Sequence, residues 1–261
     1  MSNVQHQYLD ALGITRWVIR APAVNPIIET SALIEPAVET KAGGAALMHS
    51  AAARGLNKTS APQKKPALVS RDLSAFDWTA LRENIAQCGL CDLSNSRKQT
   101  VFGVGNQQAD WLVVGEAPGP DEDAQGEPFV NRINGQLLDA MLLAIGLPRA
   151  QVYMTNSLKC KPPNNRDAKA DEAACCKPYL LQQINLLQPK IILAIGRIPA
   201  QQLLQTDTPL ERLRGQVHTL SEFGIPVIAT YHPDHLLRKP IAKRKAWDDL
   251  KLALSVYKQA Q

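Results

Sequence analysis

Four short apolar runs of strand type, spaced by stretches with helical periodicity, constrain this chain more than any other feature of its sequence. They are Trp111–Val114 (WLVV), Val152–Thr155 (VYMT), Ile191–Ile195 (IILAI) and Pro226–Thr230 (PVIAT). Runs this continuous suit strands buried on both faces. Helical patterns lie between them. Gln136–Ile145 ends at Gly146, a C-cap residue. Ala168–Leu187 is longer, Pro199–Leu204 is a short turn of helix, and Ile241–Tyr257 closes the chain. A β-α-β-α order predicts an α/β three-layer sandwich, with a central, mainly parallel, four-stranded sheet flanked by helices.

Open parallel sheets carry their sites at the carboxyl ends of the strands. Gly115-Glu116-Ala117-Pro118-Gly119 follows the first run, Asn156 the second, Gly196-Arg197 the third and Tyr231-His232-Pro233 the fourth. A turn with exposed N–H groups, an amide and an imidazole therefore converge on one edge. The turn is neither a GxxxxGK[ST] phosphate loop nor a GxGxxG, so nucleotide cofactors gain no support. No GxSxG or HExxH occurs, which disfavours a zinc-stabilised α/β hydrolase. Asn156 has the right groups to accept from N3–H of uracil and donate to O4, and cytosine presents the reverse pattern. Phe129, if it faces the site, is a flat platform for a base. Pro233 biases His232 toward extended backbone at its strand end.

The five cysteines, Cys88, Cys91, Cys160, Cys175 and Cys176, all fall between positions 88 and 176. A CxxC pair followed by further cysteines reads as a metal site, and four thiolates suit tetrahedral zinc or a [4Fe–4S] cluster. Spacing does not choose between the metals, and one of the neighbours Cys175 and Cys176 is spare.

Composition narrows the class. The chain has 261 residues, 45% apolar and 20% charged, with a net charge of +5. That excludes a fibrous chain and permits a polyanionic partner. No apolar stretch is long enough to span a membrane and no secretory signal opens the chain, so a cytoplasmic monomer is expected. Arg238, Lys239, Lys243, Arg244 and Lys245 follow the histidine, and Lys159, Lys161 and Arg166 flank Cys160. Both groups are expected to contact phosphate.

The chain divides into a docking peptide (1–34), a linker (35–70) poor in aromatic residues, and a folded domain (71–261). In the first part, Tyr8–Arg20 carries the run LGITRW with a Trp anchor. This peptide resembles the N-terminal end of the psi subunit of the bacterial DNA polymerase III clamp loader, which implies that loader as a partner.

The folded part resembles the family 4 uracil-DNA glycosylases, the iron–sulfur type. The matching text is GEAPGPDEDAQGEPFV, VYMTNSLKCKPPNNR, DEAACCKP and YHPDHLLRKP. The resemblance implies excision of uracil from uracil-containing DNA, leaving an abasic site. Gly115, Glu116 and Ala117 would shape the pocket floor and supply backbone contacts. Glu122 would sit against C5 of uracil, where a thymine methyl would clash. Phe129 would stack on the flipped base, Asn156 would read N3–H and O4, and His232 would donate to O2. His232, Glu116 and Asn156 form the implied catalytic set. Cys88, Cys91, Cys160 and Cys176 would hold a [4Fe–4S] cluster, the family spacing selecting Cys176. Ala117 stands where another glycosylase family has a water-positioning Asp, so leaving-group stabilisation carries the rate.

Two stretches depart from the family pattern. PFVNRINGQ is one residue longer than PFVGRAGQ, with Asn131 in place of Gly. HPDH puts Asp234 and His235 where Ser and Tyr are usual. These departures support an alternative, a weakly active or inactive adaptor tethered to the clamp loader.

Overall fold

The computed structural model describes residues 72–260. The expected docking peptide and linker, including Tyr8–Arg20, lie outside the described residues.

The described residues form one mixed sheet of six strands in the order β1-β3-β2-β4-β6-β5. The strands are β1 (Val104–Gly105), β2 (Trp111–Gly115), β3 (Val152–Asn156), β4 (Ile191–Ile195), β5 (His218–Leu220) and β6 (Ile225–Thr230). The four expected strands are the four in the middle, and all pair in parallel. The sheet differs from the four-stranded expectation at its edges, where β1 and β5 pair antiparallel. Each edge strand is two or three residues long, too short to show a period of two in sequence.

Helices cover both faces. α1 (Trp78–Ala86), α4 (Ala170–Leu187) and α5 (Arg197–Leu204) belong to one layer, and α3 (Arg132–Ala144) and α8 (Lys243–Gln259) to the other. Leu180, Ile184 and Leu203 pack with Leu112, Val114 and Ile192 on the first side. Leu138, Leu142, Leu250 and Ala253 pack with Val113, Met154 and Ile228 on the second. Alternate residues of one strand thus feed two cores, which is why the runs are continuously apolar. The short helices α2 (Pro120–Gln125), α6 (Leu210–Leu213) and α7 (Pro233–Arg238) sit in connections.

Capping explains where the helices begin. α3 starts before the apolar period does, because the Asn131 side chain accepts from the N–H groups of Ile133 and Asn134. α5 starts at Arg197 rather than Pro199, since an N–H missing in the first turn has no helical partner to lose. α8 starts two residues later than expected because Pro240–Ala242 forms a 3-10 turn.

One buried ion pair fixes the end of β6. Asp249 of α8 is fully buried and accepts from Arg214 Nε at 3.1 Å, Arg214 Nη2 at 2.8 Å and Thr230 Oγ1 at 2.9 Å. Removing one partner would leave a buried charge uncompensated, at a cost of about 3–5 kcal/mol.

Register brings the site together. Gly115 lies opposite Asn156, and Ile195 opposite Thr230, so the four parallel strands end side by side. From β2 the chain crosses to β3 on one flank and then to β4 on the other. The crevice beyond β2 and β4 is therefore the switch point where a ligand site is expected.

Candidate active site and thiol cluster

A cavity of about 330 Å³ opens at that crevice. Its lining includes Glu116, Ala117, Glu122, Phe129 and His232, together with Asn131 and Asp234. Loops after β2 and β6 thus meet around one space, as the sequence predicts.

Phe129 is held in an unusual backbone state. Its φ is 55°, in the left-handed region that phenylalanine rarely adopts. Two contacts impose it. The Phe129 N–H donates to Glu122 Oε1. On the other side α3 comes so close that a Cβ on Gly135 would lie 2.2 Å from the Phe129 carbonyl oxygen. The ring is 5% exposed and faces the His232 imidazole at 6.3 Å, with the planes 27° apart.

Asn156 lies behind Gly115. A Cβ on Gly115 would fall 2.6 Å from Phe129 Cζ and 2.9 Å from Asn156 Oδ1, so only glycine lets ring and amide close over β2. Asn156 is 2% exposed, and its Oδ1 has no hydrogen-bond partner. Its amide also favours the ionised Glu122 carboxylate. A carboxylate only accepts, so the amide NH₂ must face Glu122. That fixes the flip state and leaves the oxygen as a buried acceptor awaiting a donor.

Glu122 does more than wall the cavity. Its Oε2 accepts from Gly119 N–H at 2.6 Å, while Oε1 takes the Phe129 N–H. Burial raises its pKa, and these N–H groups and the Asn156 amide work against that rise. Glu116 also serves the scaffold. Its carboxylate accepts from Arg197 N–H at 3.1 Å, tying the β2 turn to the start of α5. Burial raises its pKa as well.

His232 caps α7 from extended backbone, as expected. Its Nδ1 accepts from Asp234 N–H at 3.2 Å. Nε2 must therefore carry the proton of the neutral ring. Burial pushes the imidazole down to about 4, so the ring is neutral near pH 7. The Asp234 carboxylate pairs with Arg238 at 2.7 Å. His235 stacks on Tyr231 at 4.7 Å.

Lys159 is buried and so does not form the expected phosphate contact. Lys159 is 1% exposed, and Arg166 pairs with Glu172 in a two-pronged contact. Lys159 Nζ donates to Thr155 Oγ1 at 2.6 Å, Gln183 Oε1 at 2.7 Å and the Asn156 carbonyl at 2.8 Å. Burial pushes the amine down to about 7, yet three acceptors use three N–H donors, the inventory of an ammonium. A lysine among cysteines and prolines gives no sequence sign of burial. Arg238, Lys239, Lys243, Arg244 and Lys245 are all exposed, as a phosphate-contacting face requires.

The cysteines gather beneath the same loops. Cys160 and Cys176 are buried, Cys88 and Cys91 half-buried. Leu93, Leu158, Ala117, Ala168 and Ala173 pack with Cys91, Cys160 and Cys176, while Cys88 packs against Leu81, Ile85 and Phe102. Their charges couple, Cys91 with Cys160, Cys175 and Cys88, and Cys176 with Cys160 and Cys91. Burial pushes Cys91 up to about 11 and Cys176 up to about 12. Donors nevertheless point at the sulfurs. Arg97 Nη1 lies 3.1 Å from Cys160 Sγ, and the backbone N–H groups of Lys159 and Leu93 serve Cys176 and Cys91. Cys175 behaves oppositely, its thiol donating to the Leu90 carbonyl at 3.6 Å. Among the described residues, no three His, Cys, Asp or Glu side chains are gathered tightly enough to grip a single metal ion.

Comparison with known proteins agrees with this geometry. The family model described as the uracil DNA glycosylase superfamily matches residues 102–251. A type-4 uracil-DNA glycosylase of Archaeoglobus fulgidus is 42% identical over 173 residues, covering 64% of this chain and 86% of that protein. One of Pyrobaculum aerophilum is 39% identical over 181 residues, 67% of this chain and 92% of the relative. One of Thermotoga maritima is 36% identical, over 68% and 93%.

Proposed function

The chain belongs to the uracil DNA glycosylase superfamily, and from that membership and the geometry of its cavity we propose how it excises uracil from DNA. The observation that carries the reading is the buried, unpartnered Asn156 Oδ1, whose orientation is fixed by Glu122.

Uracil must leave the base stack to reach such a cavity. The flipped ring lies on Phe129. Asn156 Oδ1 accepts from N3–H, and its free Nδ2 proton goes to O4. Cytosine would set an acceptor against Oδ1 and a donor against the NH₂ group, leaving buried groups unpaired. Glu122 stands against C5, where a thymine methyl would clash.

Breaking the bond from C1′ to N1 sends the electron pair into uracil, with charge collecting on O2. The neutral His232 donates there from Nε2–H. Water adds to C1′ and releases a proton to solvent. Ala117 offers no base at this point, so stabilisation of the leaving anion is the main contribution.

Cys88, Cys91, Cys160 and Cys176 would hold a [4Fe–4S] cluster; the zinc alternative loses support, since among the described residues no three such side chains gather around a single ion. The donor chemistry fits, because three N–H donors already aim at the sulfurs and anionic thiolates need them. Cys175 is set apart by donating its own proton. When bound, the cluster would cross-link the loops that carry Cys91 and Cys160 to α4, which carries Cys176, with no redox step.

The adaptor alternative drew on Asn131 and Asp234. Asn131 caps α3, and Asp234 is paired with Arg238, so neither leaves an uncompensated group in the cavity. The proposed Tyr8–Arg20 docking peptide keeps only its resemblance to the psi subunit. No helix among the described residues is long and apolar enough to cross a membrane.

The test is a single-stranded oligonucleotide with one uracil, incubated with the protein and then cleaved at abasic sites. Cleavage at uracil alone supports the reading; an intact oligonucleotide at high enzyme concentration rejects it.

A further inference from the structure

We propose that Lys159 is a positioning residue for uracil recognition, joining the thiol cluster to the Asn156 amide. The inference rests on the proposed role of Asn156.

The geometry is specific. Lys159 directly precedes Cys160, and its backbone N–H serves Cys176. Its side chain runs the other way, into the end of β3, where Nζ holds the Asn156 carbonyl at 2.8 Å. That carbonyl is the last of β3: Ser157 N–H closes the ladder on the carbonyl of Gly115, the residue opposite Asn156, and also reaches that of Glu116. The strand ladder therefore stops at the residue that must hold a base reader still.

Gln183 secures the ammonium from α4. Its Oε1 accepts from Nζ at 2.7 Å, and its Nε2 donates to the Phe102 carbonyl at 2.8 Å. Thr155 Oγ1 accepts from Nζ and donates to that same carbonyl at 2.8 Å. Every group in this network is buried. Buried networks of this kind hold their members rigidly, and loosening this one releases the carbonyl beneath the amide. A shift near 1 Å in a group that reads the base costs roughly a hundredfold in rate.

The proposed arrangement explains why a buried lysine stands beside a cysteine ligand rather than an apolar residue. One side of its chain serves the sulfur pocket and the other the strand end, so residue 159 fixes both at once.

A double-mutant cycle tests this. Lys159→Met keeps the length of the side chain and removes its donors. Single-turnover excision of uracil is measured for the wild type, Lys159→Met, Asn156→Ala and the double variant, with visible absorbance and iron content taken on each. Inhibition by free uracil and by 3-methyluracil is measured in parallel. Lys159→Met should retain its iron, keep the DNA KM, and lose kcat by roughly ten- to a hundredfold. Its preference for uracil over 3-methyluracil should shrink, since that preference reads the Oδ1 position. In the Asn156→Ala background the same change should cost little.

Equal losses in both backgrounds would overturn the proposal, as would a wild-type rate in Lys159→Met. If Lys159→Met does not accumulate with iron, Gln183→Met loosens the ammonium while leaving it in place. The same selective loss of uracil preference supports the proposal; unchanged preference overturns it. A wild type that excises no uracil would instead reject the reading of the whole site.

Discussion

Replacing Asn156 with alanine separates recognition from stability more cleanly than any other change. The amide offers two hydrogen bonds to the base, at N3–H and O4. Each lost bond leaves a desolvated base group unpaired, which costs about 1–3 kcal/mol. The pair is then worth about 2–6 kcal/mol, or roughly 30-fold to 20,000-fold in kcat/KM. The fold should pay almost nothing. In the free protein Asn156 Oδ1 is buried without a partner, so its removal relieves a penalty of about 1–3 kcal/mol. Loss of the packed side chain and of its contact with Glu122 works in the opposite direction, and the net change should stay within about 1 kcal/mol. The backbone carbonyl that binds Lys159 is untouched. Single-turnover excision and thermal melting by circular dichroism measure the two halves. A variant that excises uracil at the wild-type rate refutes the recognition argument. A variant that loses more than about 3 kcal/mol of stability shows that the amide serves the scaffold instead.

Four further outcomes rest on His232, the cysteines and Glu122. His232 is held neutral down to about 4, so the excision rate should show no His232 titration between pH 5 and 8; a limb near 6.5 that disappears in His232→Asn would contradict this. Because that folded value lies below the unfolded one, His232 lets stability fall as pH drops from 6.5 toward 4, a slope that should weaken in His232→Asn melts. Cys176→Ala should lose the visible absorbance of the cluster and its iron, while Cys175→Ala keeps both; the reverse would exchange their assignments. Glu122→Gln sets an NH₂ group against N–H donors and frees the Asn156 amide to flip, so uracil excision should fall by roughly tenfold or more with the protein still folded. Unchanged excision would show that Glu122 does not orient the amide.

Much of this was legible in the sequence, and the illegible part has physical causes. The parallel strands announce themselves because burial on both faces makes them continuous apolar runs. Their shared end follows from topology: Gly115 lies opposite Asn156, and His232 lines the cavity together with Glu116 and Phe129. The edge strands β1 and β5 are held by pairing with neighbours distant in sequence, and two or three residues carry no pattern. Lys159 misleads for a related reason. Composition places lysine on the surface, and only the acceptors from β3 and α4 make it an interior residue. Arg97 gave no signal either, because its sulfur partner lies 63 positions away. Glu116 and Glu122 were legible as members of the site, but not as the carboxylates that fasten its loops.

The left-handed backbone at Phe129 has a consequence for how the protein meets its substrate. The ring is already seated before any nucleic acid arrives, clamped between a carboxylate and a glycine of the following helix. Whatever torsional cost that seat carries is met once, when the chain folds, and is not charged again at each encounter. A visiting base therefore finds a finished surface and has only its own unstacking to overcome.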